Sequence, residues 1–347
     1  MANRGKTLDE KVFSIKDLKE EASKKLPRAY KEFFNEGAMD MITVQDNEDA
    51  YNRYKIRPRV LRDVSNIDTS TTIFGVKVAL PFGFSPAATH KLAHPEGASC
   101  RCGWHPDGTL CICHFILKNR DITRQILQRA EQAGYKAVMM TVDAPMLGRR
   151  LNEYRNAFGL PEGMGYPNIA PGMDMRNLVD QGLDLTYEDG MNWEQALSWI
   201  RENTKLDVWL KGVYTADDVA LAIEHGIDGV LISNHGGRQL DGVPATLDAL
   251  RECAPIAKGK IKIAVDGGIR RGTDIFKALA LGADFCFAGR VPIWGLAYNG
   301  SEGVQLAVNL LHDELRLAMC LAGCKTVKDI NKGHLSLLQA NGVLAKL

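Results

Sequence analysis

From residue 136 onward, almost wholly apolar runs of strand length alternate with segments of helical period, and this alternation constrains the fold more than any other feature. The runs are KAVMMTVD (136–143), LDVWLKGV (206–213), DGVLISNHG (228–236), KIAVDGG (262–268) and ADFCFAGR (283–290). Continuous apolar character means burial on both faces, as in a parallel sheet covered by helices. The segments between them, TADDVALAIEHG (215–226), ATLDALRECAPIAKG (245–259) and GTDIFKALALG (272–282), begin near Thr or Asp and end in Gly, as crossover helices do. Such β-α units leave two architectures, an open doubly wound sheet or a closed barrel.

The polar residues separate the two. Each run delivers a polar group near its C-terminal end: Asp143, Lys211, Asn234 with His235, Asp266, and Arg290. A (β/α)8 TIM barrel collects its active site from many strand ends on one face, whereas an open sheet gathers ligands at one switch point. No G-x-G-x-x-G follows the first strand. The reading is therefore an α/β chain built as a TIM barrel. LPFGFSPAATHK (80–91) supplies its first strand. Residues 1–79 form an N-terminal cap, with a helix near 15–35 and short strands in KIRPRVL and TTIFGVKV; residues 80–335 form the barrel and 336–347 a tail. Residues 161–190, rich in Gly, Pro, Asn and Asp, read as a long loop over the C-terminal face that acts as a lid.

A length of 347 residues accommodates one capped barrel. A net charge of +1, from 43 basic and 42 acidic side chains in mixed order, gives no electrostatic footprint for nucleic acid or an anionic membrane. The charged N-terminus lacks a signal core, and no stretch reaches roughly 18 consecutive apolar residues. A soluble, intracellular protein is expected, with its eight cysteines as thiols. The ending Ala345-Lys346-Leu347 is similar to the S-K-L peroxisomal address; without that address the cytoplasm is the expected compartment.

Two constellations carry chemistry. DGGIRRGTD (266–274) and AGR (288–290) put Gly267, Gly268, Arg270, Gly289 and Arg290 at the last two strand ends, where barrels commonly hold phosphate. In LISNHGGRQLDG (231–242), His235 is suited to accept a proton near neutrality, and Arg238 to grip a carboxylate through parallel hydrogen bonds. Asp143 would hold the imidazole in one tautomer. Lys211 would place positive charge beside a cofactor that becomes anionic on reduction, or would form a Schiff base as a lyase does.

SNHGGRQLDGVPAT, DGGIRRGTDIFKALALGA, LKGV, TVDAP and PAATHKLAHPEG together closely resemble the FMN-dependent 2-hydroxy acid oxidases and dehydrogenases, the glycolate oxidase and lactate oxidase group, from about residue 12 to residue 335. The resemblance implies a single domain with FMN across the barrel mouth. It implies that His235 is the base, Asp143 its partner, and Arg238 and Arg150 the carboxylate clamp. Lys211 would sit by the flavin ring, with Thr141, Ser233, Asp266, Gly267, Gly268, Arg270, Gly289, Arg290 and the backbone of Pro86, Ala87 and Ala88 holding FMN. The implied reaction turns an (S)-2-hydroxy acid into a 2-oxo acid, with O2 as acceptor giving hydrogen peroxide, in a homo-oligomer that is commonly a tetramer.

The chain departs from the family in two places. Phe33 stands where the family usually has a substrate-binding tyrosine. GASCRCGWHPDGTLCICHFILKNRD (97–121) stands where the family carries more chain, and Cys113 and Phe115 fall where it has a glutamine and a tyrosine. Cys100, Cys102, Cys111, Cys113, His105 and His114 tempt a zinc reading, but structural zinc sites space paired cysteines about two to four residues apart, and here one residue intervenes. No metal site is expected. The segment reads instead as an altered or mis-spliced stretch, or a genuine shortening, that removes one β-α unit around residues 98–116. A catalytically impaired or non-catalytic flavoprotein paralogue is the alternative function that follows.

Overall fold

The computed structural model describes residues 7–95, 97, 111–165 and 187–347. In chain order these form α1 (Ile15–Lys25), α2 (Arg28–Asn35), α3 (Ile42–Arg53), β1 (Tyr54–Ile56), β2 (Thr71–Ile73), β3 (Val76–Val78), β4 (Phe82–Phe84), β5 (Cys111–His114), α4 (Arg120–Gln132), β6 (Ala137–Thr141), α5 (Leu151–Arg155) and α6 (Trp193–Asn203). They continue through β7 (Asp207–Val213), α7 (Ala216–Glu224), β8 (Gly229–Ile232), α8 (Thr246–Ala257), β9 (Lys262–Val265), α9 (Gly272–Leu281), β10 (Phe285–Ala288), α10 (Arg290–Ala322), β11 (Leu335–Leu338) and β12 (Leu344–Lys346).

Seven strands pair in parallel in the order β4-β10-β9-β8-β7-β6-β5. Period-two alternation gives the sheet two apolar faces. In β6, Val138 and Met140 join the layer beneath the helices, while Ala137 and Met139 turn to the inner layer with Trp209, Leu231, Ala264, Phe285 and Phe287. The antiparallel β2-β3 hairpin closes that inner layer with Ile73 and Val78, and Phe74 packs edge-on to Trp209 at 5.1 Å. Gly229 lies opposite Trp209 in the ladder, and a Cβ there would fall 2.2 Å from the indole. Each such buried large side chain contributes roughly 1.5–3 kcal/mol.

The expected eighth strand is not among the described residues. The two edges of the sheet are β4 and β5, and residues 98–110, which follow β4 in the chain and precede β5, lie outside the described residues. The edges therefore flank the segment where the sequence is expected to fall short of one β-α unit. Half of the zinc reading (Cys100, Cys102 and His105) and much of the lid, residues 166–186, also lie outside the described residues; among those described, no group of His, Cys, Asp or Glu is arranged to hold a metal.

The cap differs from its expected form. Instead of one helix near 15–35 there are two, because Pro27 has no N–H to continue α1 and holds Leu26 extended (φ −92°, ψ 136°). α3 was not foreseen, since its sequence, ITVQDNEDAYNR, is mostly polar. Tertiary contacts account for it: buried Asn47 exchanges two 2.9 Å hydrogen bonds with Asn234, and Tyr54 at its C-cap donates to Asp248 on α8. The six described cysteines are free thiols, and no helix among the described residues is long and apolar enough to cross a membrane.

Candidate active site

Because the seven strands are parallel, their C-terminal ends share one face. β6 ends at Thr141 and delivers Asp143, β7 carries Lys211, β8 leads into Ser233 and His235, β9 into Asp266, and β10 into Gly289 and Arg290. Pro86, Ala87 and Ala88 follow β4 on the same face. Ser233 is buried and accepts from the His235 backbone N–H at 3.1 Å. His235, Gly236 and Gly237 all adopt positive φ, at 57°, 64° and 73°. For a histidine this left-handed backbone costs on the order of 1–3 kcal/mol, a strain of the kind that surrounding structure holds at functional sites.

His235 Nδ1 lies 2.9 Å from Asp143 Oδ1, and Lys211 Nζ lies 3.4 Å from the same nitrogen and 3.9 Å from Asp143 Oδ2. Gly212 (φ +101°) makes this approach possible, since a Cβ there would fall 2.4 Å from Asp143 Cβ. Burial pushes the Asp143 carboxyl up, but Lys211 and His235 outweigh it and hold the group below its ordinary value. Burial lowers Lys211, and Asp143 and Asp266 more than restore it, so the amine stays charged above its ordinary value. Burial, together with Lys211, lowers His235, so the imidazole is neutral near pH 7. With Nδ1–H donated to Asp143, Nε2 carries the lone pair.

Arg238 donates from one terminal nitrogen to Phe33 O (2.6 Å) and Glu36 O (3.1 Å) and from the other to Glu153 Oε1 (3.1 Å). Arg150 approaches the same Glu153 oxygen at 3.4 Å and donates to Arg238 O at 3.2 Å. Burial and the charge of Arg150 bring Arg238 down to about 10, still charged at neutrality. Arg290 donates to Phe34 O, Gly236 O and Glu36 O at 3.0, 3.0 and 2.9 Å. The last carbonyls of α2, which lack intrahelical donors, are thus satisfied by two guanidiniums. The Phe33 ring lies under Arg238 at 4.9 Å and stacks on Phe158 at 4.4 Å. Phe115 stacks on Tyr187 at 4.3 Å and faces the His235 ring at 6.3 Å, and Cys113 Sγ lies 3.2 Å from Thr141 Oγ1.

The profile of the FMN-dependent dehydrogenase family matches residues 22–102 and 105–337. The chain belongs to this family. As a member of the FMN-dependent 2-hydroxy acid oxidases it uses FMN as its cofactor. It is similar to the oxidase FUB9 of Gibberella moniliformis (51% identity over 361 residues, 96% of this chain and 93% of the relative), and to glycolate oxidase of Spinacia oleracea (38% identity; 94% and 96%). The structure resembles mandelate oxidase with a TM-score of 0.82 to 0.83, at 33% identity over 97% of this chain and 100% of that one. An alignment of 361 positions exceeds the 347 residues of the chain, so family members carry residues that this chain lacks; the profile match breaks between 102 and 105, inside the Cys-rich segment.

The mouth fits this family's cofactor on its own chemistry. Asp266 Oδ1 and Arg270 Nε are buried with no hydrogen-bond partner, although Asp266 Oδ2 accepts from Ser85 at 2.7 Å. Gly267 and Gly268 (φ +93° and +75°) turn the backbone sharply between these two side chains. An acceptor, a cationic donor and a buried Lys211 are what a polar ring edge and an anionic phosphate require.

Sequence reasoning missed Glu153, Gln239 and Ser85. Glu153 had a legible signal, three residues after Arg150 on α5, the spacing of a helical ion pair. Gln239 was not legible: it bridges loops by donating to Asp143 O and Met146 O at 3.1 and 2.8 Å, contacts that no local pattern encodes.

Proposed function

We propose that this chain oxidises an (S)-2-hydroxy acid to the 2-oxo acid, with O2 as the final acceptor. The observation that carries the reading is the 2.9 Å pairing of His235 with Asp143 beside charged Lys211. FMN supplies the two-electron sink when bound. The residues to hold it are Thr141, Ser233, Lys211, Asp266, Gly267, Gly268, Arg270, Gly289 and Arg290, with the backbone of Pro86 to Ala88. Arg238 and Arg150 bind the substrate carboxylate, fixing the hydroxyl-bearing carbon relative to His235. His235 Nε2 takes one proton from that carbon unit, and Asp143 stabilises the resulting imidazolium. The relatives named (S)-2-hydroxyacid oxidases support the stereochemistry.

Phe33, Phe158, Phe115 and Tyr187 give the site an aromatic wall, which favours a substrate with an apolar side chain over glycolate. The missing Phe33 hydroxyl costs a small substrate about 0.5–3 kcal/mol of carboxylate binding. The Schiff-base reading for Lys211 requires a neutral amine, whereas Asp143 and Asp266 keep this one charged. The impaired-paralogue reading draws on the unpaired edges of β4 and β5 among the described residues. For the C-terminal address, β12 pairs Ala345 with Leu337 and Lys346 with Ser336, so a peroxisomal receptor must peel this strand away. Measuring peroxide against 2-oxo acid tests the acceptor: a ratio of one supports O2, and 2-oxo acid formed without peroxide contradicts it.

A further inference from the structure

Outside the barrel mouth, a cleft of about 700 Å3 opens between α1, α2, α3 and the turn into α9. Its lining includes six cations, Lys16, Lys19, Lys24, Lys31, Arg270 and Arg271, against two carboxylates, Glu20 and Glu48. Its inner end is built rather than merely solvated. Arg270 lies 4.8 Å from the Trp294 ring and Lys19 5.4 Å from the same ring, so two cations share one indole. Arg270 spends one terminal nitrogen on Glu48 at 2.8 Å and another on Ile269 O, while its buried Nε has no partner. Burial lowers Lys19, Glu48 and Glu20 partly offset this, and the charges of Arg270 and Arg290 lower it further. Arg270, which follows β9, lines this cleft, so the cleft adjoins the barrel mouth at that turn.

We propose that this cleft captures the phosphate of FMN, drawing that end of the molecule to the Arg270 turn before the cofactor seats; the inference rests on the FMN assignment. A solvated lysine face would hold no such focus. Here Lys19 and Arg270 meet over the buried Trp294 ring at the inner end of a concave cleft, and a cleft carrying one sign of charge raises the association rate of an anion. Charges on the rim of a site act mainly on association and its salt dependence, and less on residence time.

The test is the rate at which the flavin-free full-length protein quenches FMN fluorescence, compared with the double variant Lys16→Glu, Lys31→Glu. Both lysines are exposed, so the variant keeps its helices. The expected result is a roughly tenfold slower association at low ionic strength with an unchanged dissociation rate. The difference should vanish near about 1 M salt, where the Debye length is about 3 Å. Riboflavin, which lacks the phosphate, should associate equally with both proteins. Equal FMN rates, or an equal slowing of FMN and riboflavin, would overturn the proposal while leaving the FMN assignment intact. Failure of the unaltered protein to bind FMN would overturn both. Heat from inorganic phosphate titrated onto the FMN-loaded protein would show that the cleft serves a separate anion, and would also overturn it.

Discussion

His235 Nδ1 lies 2.9 Å from Asp143 Oδ1, and this contact decides which imidazole nitrogen is free to act as a base. Replacing Asp143 with Asn removes the charge that stabilises the imidazolium while keeping the volume. Turnover should fall roughly a thousandfold with FMN still bound, as when a catalytic histidine loses its carboxylate partner. Unchanged turnover in single-turnover reduction would remove Asp143 from the mechanism.

The direction of the His235 shift sets the acid limb of the pH profile. Burial and then Lys211 lower His235 below its ordinary value of 6.5, so the neutral base persists into more acidic solution than a free imidazole would. Because the unfolded chain binds this proton more readily, His235 also withdraws stability as pH falls below 6.5, and none above it. kcat/KM for the substrate should therefore decline on the acid side with a midpoint below 6.5. A midpoint above that value would contradict the geometry.

Glu153 is the shared counter-ion of Arg238 and Arg150, the proposed carboxylate clamp, at 3.1 Å and 3.4 Å. Glu153→Gln leaves two neighbouring guanidiniums in mutual repulsion. With side chains 12 to 25% exposed, the loss should be about 1–2 kcal/mol, less than for a fully buried pair. A 2-oxo acid replaces the missing charge, so the rise in Tm that it causes should be larger in the variant than in the unaltered protein. Equal rises would show that Glu153 does not balance the clamp.

Arg238→Lys should raise KM by roughly tenfold or more, because an ammonium cannot reproduce the planar fork and one charged hydrogen bond is worth about 1.5–3 kcal/mol. Phe33→Tyr should act oppositely for small acids, raising kcat/KM for glycolate by roughly tenfold. Steady-state kinetics with glycolate and a phenyl-bearing acid tests both, and no change in the ratio between the two acids would remove Phe33 from the specificity wall.

The barrel was legible because its strands are buried on both faces: residues 137–141 and 229–232 are buried throughout, which leaves an unbroken apolar run in the sequence. His235 and Asp143 were legible for a related reason, since polar residues at the ends of such runs must emerge on one face. α3 was hidden because its helix depends on Asn47 meeting Asn234, 187 residues away. The break between α1 and α2 could be read from Pro27, but the amphipathic period on either side masked it. Gln239 and Ser85 act through partners in loops that follow other strands, and only the folded sheet brings these together.

On the proposed reading the described strand ends suffice to bind FMN and deliver a 2-hydroxy acid to His235, although the sheet has edges at β4 and β5 among the described residues. The most direct test is the visible spectrum of the purified, desalted protein, recorded without oxygen during titration with a panel of 2-hydroxy acids. The expected result is a yellow protein that bleaches most readily with an acid bearing an apolar side chain. A protein that stays colourless after FMN is added, or a yellow one that no member of the panel bleaches, would contradict it.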